Sequence, residues 1–414
     1  MAARTVSFIR NVVSAKEIPY LLCFLLSIQK VSGQKVNLHK SSVTFSRNIS
    51  SDDAAAITNL LGVAESTLED RYLGLPTHIA RSKQATFQFI EDKLVSRLHQ
   101  WKSKALSLAA KEILLKSVAN VLPNYAMLSF RIPSTSCRRL NGHVARFWWA
   151  QQDRDEGMKW ASWRSLCRPK IHGGLGFRDF DGNNIALLAK QAWRILHSPD
   201  CALAVLYKAK YFPQTSFLQA VQGARPSWAW QGVLLGRDLL LQGLRWLVGS
   251  GTQIHITNDC WLPTTPPSCP KLLPHAVLPS TQVSSLIDHS NGSWKMELLQ
   301  SLFDAATVKV ILMIPLPQLP MADKCIWHYE PSGEYSVKTG YHVAASEFVR
   351  NLSTTPIIFD SRAWKALWAL SVPPKLRFFL WRLIKGFLPV RDVLRDKELI
   401  EEDDSEGLLC PVCS

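Results

Sequence analysis

The sequence has few cysteines for its length, nine in 414 residues, and they are scattered from Cys23 to Cys413. An odd and thinly spread set is not the disulfide framework of a small secreted domain. We therefore expect a reducing compartment in which most thiols are buried as small apolar groups. Ile18–Ile28 imitates a signal peptide, but it is too short to span a bilayer and no clear cleavage site follows. These features predict a nuclear or cytoplasmic protein that is neither secreted nor membrane-bound.

Acidic residues are scarce relative to basic ones, 33 against 48, so the formal net charge is +15. An excess of this size favours an anionic partner, such as nucleic acid or a membrane surface. The alternative is a soluble basic protein without such a partner. The hydrophobic fraction of 47% excludes a disordered chain, and it includes 15 tryptophans.

Motifs for several common chemistries are absent from the sequence. There is no glycine-rich phosphate loop ending in Lys-Ser or Lys-Thr, no Gly-x-Ser-x-Gly elbow and no His-Glu-x2-His metal helix. Asp52 and Asp53 adjoin no apolar strand, and Glu401–Asp404 is typical of a solvated acidic tail. A two-metal polymerase or nuclease needs clustered carboxylates, so the sequence predicts no such enzyme and no small-molecule substrate.

Apolar periodicity predicts a mainly α fold with minor β. A helix is predicted around Phe87–Trp101 with Ser82 as N-cap, and a second from about 105 to 121, ending before Pro123. Val36, Leu38, Val43 and Phe45 alternate with polar residues, which predicts one or two short strands. Further helices are predicted through "RRLNGHVARFWWA", through Leu188, Ala192 and Ile195, and on both sides of the Pro-Pro pair in "VPPKLRFF". "CIWHYEPSGEYSVKTGYHVAA" is typical of a strand, a turn, a second strand and a helix start.

These elements suggest five segments. They are a remnant N-terminal segment (1–59), a helical module (60–150), a Trp-rich helical connector (151–262), a Pro/Ser-rich linker (263–322) and a small α+β terminal module (323–414).

Basic residues cluster in and beside the predicted helices of the second segment. The candidates for contacts with nucleic-acid phosphates are Lys102, Lys104, Lys111, Lys116, Arg138, Arg139 and Arg146. The plainer alternative is a solvated helix face. Aromatic residues are interleaved with basic ones from Arg146 to Arg164 and could grip a strand by stacking and charge, although tryptophans at such spacings commonly anchor a core.

Cys410 and Cys413 have the Cys-x2-Cys spacing of half a zinc site, but a tetrahedral site needs four ligands. Cys325 and His328 could supply a second pair, although His328 lies in an apolar stretch where its ring could simply be packed. The plainer interpretation is that Cys410 and Cys413 are the first half of a truncated site, so zinc is a possible cofactor at an incomplete site, and no other cofactor is predicted.

Several stretches occur in an order that resembles the plant non-LTR (LINE-type) retrotransposon reverse transcriptases, often labelled ribonuclease H proteins. They include "SGQKVNLHKSS", "YLGLP", "LSLAAKEILLKSVANVLPNYAM", "RFWWA", "WASWRSLCRPKIHGGLGFRDF", "GLRWLVGSGTQIHITNDCWLP", "VPPKLRFFLWRLIKGFLPVRDVL" and "CPVC". The resemblance covers roughly residues 30–414. It implies the end of a palm-like region at 1–59, a thumb-like module at 60–150 and a reverse transcriptase zinc-binding domain at 323–414.

The departures from that family shape the expected function. The family's palm carries a Tyr-x-Asp-Asp turn that holds the catalytic metals, whereas no Asp precedes Asp52 here. The family's downstream ribonuclease H domain is not in the sequence, and the zinc-binding pattern stops after its first Cys pair. The resemblance therefore implies a catalytically inactive, truncated remnant that binds RNA or an RNA–DNA hybrid without sequence preference. The alternative is a scaffold protein or a pseudogene product with no retained activity.

Overall fold

A computed structural model describes residues 42–43, 45, 49–62, 64–65, 71–72, 74–76, 79–150, 157–317, 319, 321–350 and 360–388. The chain divides into two compact units, 1–86 and 87–414, and each is described by itself. The apolar run Ile18–Ile28, the predicted strand residues Val36 and Leu38, and the acidic run Glu401–Asp404 lie outside the described residues.

The described residues of the first unit include one longer helix and two pairs of very short strands. Helix α1, Ser51–Leu61, starts where the Ser50 side chain accepts a hydrogen bond from the Asp53 amide, and it ends at Gly62. The short helix α2, Lys83–Thr86, is capped by the Ser82 hydroxyl. The strands are β1 (Ser42–Val43), parallel to β2 (Ala64–Glu65), and β3 (Arg71–Tyr72), antiparallel to β4 (Leu75–Pro76). Only the part of the predicted strand region at Val43 is therefore observed as a strand.

The second unit is mainly helical, which confirms the predicted fold class. Its helices are α3 (Gln88–Lys102), α4 (Leu108–Leu114), α5 (Asn124–Ser129), α6 (Ser134–Trp149), α7 (Trp163–Cys167), α8 (Phe180–His197), α9 (Ala202–Tyr211), α10 (Trp228–Leu241), α11 (Met296–Leu302), α12 (Ala305–Leu312), α13 (Val337–Arg350), α14 (Ser361–Ala369) and α15 (Pro374–Ile384). The apolar stripe of α3 is buried at Ile90, Leu94 and Leu98, as its period predicted. The second predicted helix is α4, which continues as a π-helical turn over Leu115–Ala119.

Helix α8 lies at the centre of this unit. Its residues Leu188, Ala192 and Ile195 are buried, and α10 packs across it. The two backbones approach closely at Gly236, where an added Cβ would lie 2.5 Å from the amide nitrogen of Ala189. Only glycine, which has no Cβ, permits this close approach, so Gly236 determines where α10 crosses α8.

Two asparagines tie α6 and the turn before it to α8. The fully buried Asn184 accepts from the Ile132 amide at 2.8 Å and donates to the carbonyl oxygens of Met127 at 2.8 Å and Phe130 at 3.0 Å. Asn141 accepts from the Phe180 amide at the start of α8. Because these bonds satisfy main-chain groups where α5 ends and α6 begins, they set the position of α6.

Residues 263–322 are folded, and the prediction of a loose linker there was wrong. Short strands β6 (Ile287–Asp288) and β7 (Ser293–Trp294) pair, and α11 and α12 follow them. A separate hydrophobic cluster forms around Trp261, with Val283, Leu299 and Ile311 fully buried in it. The many prolines and serines suggested a linker, but the stretch also contains enough apolar residues to form this small core.

A small two-stranded sheet lies beside the hydrophobic cluster around Trp261. Strand β5 (Leu244–Leu247) is antiparallel to β8 (Lys324–Trp327). The buried carboxylate of Asp323 accepts from the amides of Gly249, Gly251 and Gln253 at 2.8–2.9 Å. The second strand predicted after β8 is not observed, because a turn at Gly333 leads directly towards α13.

The last described helices return to the helical body. The Tyr341 hydroxyl on α13 accepts from the Asp179 amide at 3.0 Å, and the Trp381 indole on α15 donates to the Gly173 carbonyl at 3.1 Å. Helices α14 and α15 flank the Pro-Pro pair as predicted, with Pro374 in the first turn of α15. Among the described residues, no helix is both long enough and apolar enough to cross a membrane.

Candidate nucleic-acid interface

Helices α3 and α6 run side by side, and together they carry most of the predicted basic residues. At one end of the pair the ring of Phe87 faces Phe130 at 5.8 Å, and at the other Trp101 faces Phe147 at 5.9 Å. These contacts bring the end of α3 next to the end of α6. Lys102 and Lys104 therefore lie near the same end of the helix pair as Arg146.

Glu91 organises part of the basic face. Its carboxylate, 13% exposed, accepts from Arg139 at 2.9 Å and from His143 at 2.8 Å. The Arg146 guanidinium reaches His143 Nδ1 at 2.8 Å. Because a guanidinium only donates, this Nδ1 must accept, and the imidazole proton is then on Nε2, facing Glu91. The network holds Arg139 against the protein and orients Arg146.

Lys111 and Lys116 are half-buried, and both ammonium groups already have protein acceptors. Lys111 donates to the Ala150 carbonyl at 2.6 Å, and Lys116 donates to the Leu175 carbonyl at 2.7 Å and to Glu112 at 2.6 Å. Burial lowers the pKa of both lysines. These two cations help to join α4 to neighbouring segments of the fold.

Glu112 is shared between Lys116 and Lys170, whose ammonium group lies 2.8 Å from the carboxylate. Burial alone would raise the pKa of this carboxyl, but the hydrogen bonds and charges of the two lysines lower it below its ordinary value. Glu112 therefore stays ionised at neutral pH and keeps the basic groups around it in place.

The remaining predicted cations are more accessible. Lys104, Arg138 and Arg146 are exposed, and Lys102 is half-buried. Arg138 and Arg146 lie eight residues apart on the outer face of α6, which separates them by about 12 Å along the axis. The structure thus divides the seven predicted residues into exposed cations and cations held by protein groups. Their contact with phosphates stays a prediction.

A cleft of about 620 Å³ opens beside the end of this helix pair. Its aromatic walls come from α3, α6, the segment after α6, and α15. The aromatic residues are Trp101, Phe147, Trp148, Trp149, Trp160 and Trp381. The cations that line it are Lys102, Lys104, Lys111 and Arg382, and the described lining includes no acidic residue.

Two of these tryptophans combine deep burial with an unsatisfied donor. Trp148 is 1% and Trp149 8% exposed, and the Nε1 of each is buried with no hydrogen-bond partner among the described residues. Buried indole N–H groups usually find an acceptor, and in the described residues Trp163, Trp230 and Trp368 share this feature with the pair at the cleft. Core packing, the alternative to a stacking role, does describe Trp148, Trp149 and Trp163, all of which are nearly buried.

The predicted zinc ligands Cys410 and Cys413 lie outside the described residues. Cys325 lies in β8, and His328 lies in the turn that follows the last residue of that strand, Trp327. Within the described part of the chain, no three His, Cys, Asp or Glu side chains are grouped to hold a metal ion. The combined site considered from the sequence includes Cys410 and Cys413 and stays an untested prediction.

The free cysteines are mostly structural. Burial raises the pKa of Cys137 and of Cys325 to about 12, so both thiols stay neutral. Cys260 and Cys269 lie with their sulfur atoms 3.1 Å apart across a tight turn and are present as free thiols.

The polar residues that hold the basic face together were not identified from the sequence. Glu91, Glu112 and Asn184 have partners about 50 positions away or more, in addition to the local Gln88–Glu91 and Glu112–Lys116 contacts. No local pattern identifies them. Trp381 and Arg382 reach the cleft from more than 200 residues beyond α6, and only the tertiary fold brings them there.

Comparison with known proteins gives one family match and two relatives. Residues 335–414 match the family described as zinc-binding in reverse transcriptase. An "uncharacterized mitochondrial protein" of Arabidopsis thaliana is 40% identical over 142 residues, which cover 34% of this chain and 92% of that protein. A "putative ribonuclease H protein" of the same plant is 23% identical over 355 residues, which cover 82% of this chain and 54% of that protein.

Proposed function

Since this chain belongs to the family of reverse transcriptase proteins derived from plant retrotransposons, we propose that its helical body binds RNA or an RNA–DNA hybrid through phosphate contacts, with little preference among base sequences. The observation that carries the proposal is the set of exposed cations on α6 and just after α3, in a chain of net charge +15. Of the acidic groups near this set, Glu91 has the cationic partner Arg139, and Glu112 has two, Lys116 and Lys170.

Cations that are exposed can reach phosphates without breaking contacts inside the protein. Lys104 and Arg138 meet this condition, and the exposed Arg146 uses one N–H for His143 and keeps other guanidinium donors for a phosphate. Lys111, Lys116 and Arg139 already donate to protein acceptors, so we expect them to contribute less to binding and more to the shape of the surface. Phosphate contacts carry no base information, and hence the expected lack of sequence preference.

Neutralising the exposed cations tests the proposal. Each phosphate contact contributes about 0.7–0.9 to the slope of log affinity against log salt, because binding releases condensed counterions. Changing Lys104, Arg138 and Arg146 together to glutamine should flatten the slope for a labelled RNA–DNA hybrid by about 2–3 units. The measurement is fluorescence anisotropy of the full chain at several salt concentrations.

A matched control carries the same charge change elsewhere in the unit. Lys190, Lys208 and Arg225 are also exposed but belong to other segments, α8, α9 and the segment before α10. Their substitution by glutamine should change the slope by less than one unit if the proposed face makes the contacts. Equal effects of the two triple variants would show that only net charge matters and would favour the scaffold alternative.

We further propose that the chain has no polymerase or ribonuclease H activity of its own. The basis is the sequence, in which no acidic pair sits in a context that would present it to two metals. Purified protein given a primed RNA template, nucleotides and Mg²⁺ or Mn²⁺ should extend no primer and cleave no RNA above a boiled control. Extension or cleavage above that control contradicts the proposal.

A further inference from the structure

The aromatic cleft has the size and the wall chemistry of a ligand site. Its volume of about 620 Å³ lies within the roughly 300–1,000 Å³ of small-molecule clefts. We propose that it holds unpaired bases of a single nucleic-acid strand, stacked on its tryptophans, while lysines at its rim contact the adjoining phosphates. This inference rests on the proposed function and goes beyond it by naming the form of nucleic acid that enters the cleft.

The aromatic rings of the cleft differ in how deeply they are buried. Trp101 and Trp160 are half-buried, so each leaves part of its ring accessible in the cleft. Trp148 and Trp381 are each 1% exposed and form the base beneath them. Trp381 is fixed by its hydrogen bond to the Gly173 carbonyl. Accessible rings on a rigid aromatic base suit base stacking, which tolerates any sequence because every base has a π face.

Two indole donors at the cleft favour a hydrogen-bonding ligand, and this observation is independent of stacking. The indole N–H groups of Trp148 and Trp149 are buried at the cleft without an acceptor in the described residues. Leaving such a donor unsatisfied costs about 1–3 kcal/mol, so native proteins rarely do so without reason. Nucleobase edges carry carbonyl oxygens and ring nitrogens that accept hydrogen bonds. Because each Nε1 atom is itself buried, the indole must turn towards the cleft before a base edge can accept from it.

The residues that line the cleft have a positive net charge. The cleft has four cationic residues and no acidic residue in its described lining, which favours an anion over a neutral apolar peptide. Lys111 donates to Ala150 and Arg382 to the Phe387 carbonyl at 3.0 Å, so these two cations are anchored. Lys104 is exposed at the mouth and is placed for a phosphate. In a duplex the base faces are stacked on one another, so only an unpaired strand can present them to the tryptophans.

The test uses the full chain and three labelled ligands of equal length, about 12 nucleotides, within the roughly 4–16 nucleotides that one single-strand site covers. They are oligo(dT), an abasic strand with the same phosphates, and a blunt RNA–DNA hybrid. Oligo(dT) should bind at least about tenfold more tightly than the abasic strand, as the loss of one stacked base predicts. Because it uses wild-type protein, this comparison does not depend on the folding of any variant.

Substitutions then locate the stacking. Trp160→Leu should remove most of the advantage of oligo(dT) over the abasic strand, whereas Trp160→Phe, which keeps a ring, should retain it. Trp246→Leu is the matched control, since Trp246 is half-buried on β5 and does not line the cleft. Hybrid binding should change less than twofold in all three variants.

The outcomes separate this inference from the proposed function. If oligo(dT) and the abasic strand bind equally, the cleft does not hold bases, while phosphate binding by the exposed cations stands. If Trp160→Leu and Trp246→Leu have equal effects, the stacking site is not this cleft, and the inference is overturned. If none of the three ligands binds at low salt, the proposed function itself fails, and the inference fails with it.

Discussion

Replacing Asn184 by alanine is expected to destabilise the second unit far more than the same change at Asn183. The two residues are neighbours on α8, and both are fully buried. They differ in their partners. Asn184 makes three hydrogen bonds to main-chain groups between α5 and α6, whereas Asn183 makes one, to the Asn124 side chain at 2.9 Å, and its own oxygen lacks a partner.

The magnitudes follow from these bonds. Each lost hydrogen bond contributes about 1 kcal/mol net, and a main-chain group left buried without a partner costs about 1–3 kcal/mol. Asn184→Ala should therefore cost about 3–5 kcal/mol, and Asn183→Ala about 1 kcal/mol or less. Because both changes remove the same atoms from equally buried sites, the cavity contribution largely cancels in the comparison.

Urea unfolding followed by tryptophan fluorescence measures this difference. All 15 tryptophans lie at position 101 or later, so the signal reports on the second unit. A cost at Asn183 equal to or above that at Asn184 would refute the argument that Asn184 fixes the entry into α6. If Asn184 positions α6 as argued, a folded Asn184→Ala protein should also bind the hybrid more weakly, since Arg138 and Arg146 are on that helix.

Three further results are expected. Gly236→Ala should lower the free energy of unfolding by more than about 2 kcal/mol, because the added Cβ would lie 2.5 Å from the Ala189 nitrogen. Gly142→Ala, where an added Cβ meets nothing within 4 Å, should stabilise the protein by about 0.5–1 kcal/mol in the same urea assay. Similar effects of the two changes would contradict the close helix crossing. Burial raises the pKa of Cys137 from 9.0 to about 12, so the unfolded chain releases this proton first, and stability is lost as pH rises from 9 to 12. Cys137→Ala should make that loss shallower by up to about 1.4 kcal/mol per pH unit, and an unchanged slope would show that this thiol is not protected. After dialysis, metal analysis should find much less than one zinc per chain, since Cys410 and Cys413 supply two of four ligands; one tightly held zinc that is lost on Cys325→Ser would restore the combined site.

Much of the helical architecture could be predicted from local sequence. The stripe of Ile90, Leu94 and Leu98 indicated α3 because a 3.6-residue period places these residues on one face. The Pro-Pro pair marked the break between α14 and α15, since proline is tolerated in a first turn but not in a helix interior. Here local preference and tertiary packing favour the same structure.

Features that depend on distant partners could not be predicted. The folded core around Trp261 lies in a stretch whose prolines and serines resemble a linker, and its stability comes from contacts that no local window contains. Lys111 and Lys104 look equivalent in the sequence, yet one is held by the Ala150 carbonyl and the other is exposed. The cleft is assembled from segments more than 200 residues apart. The sequence therefore identified the basic region but could not sort its members by accessibility.

The most direct test of nucleic-acid binding is the salt dependence of the wild-type chain. Affinity for a labelled RNA–DNA hybrid of arbitrary sequence should fall linearly with salt on logarithmic axes, with a slope of about −3 to −5 for four to six phosphate contacts. Hybrids of unrelated sequence should give the same slope and similar affinities. Absence of binding at low salt, or a slope near zero, would contradict the account and leave the basic face as a solvated surface.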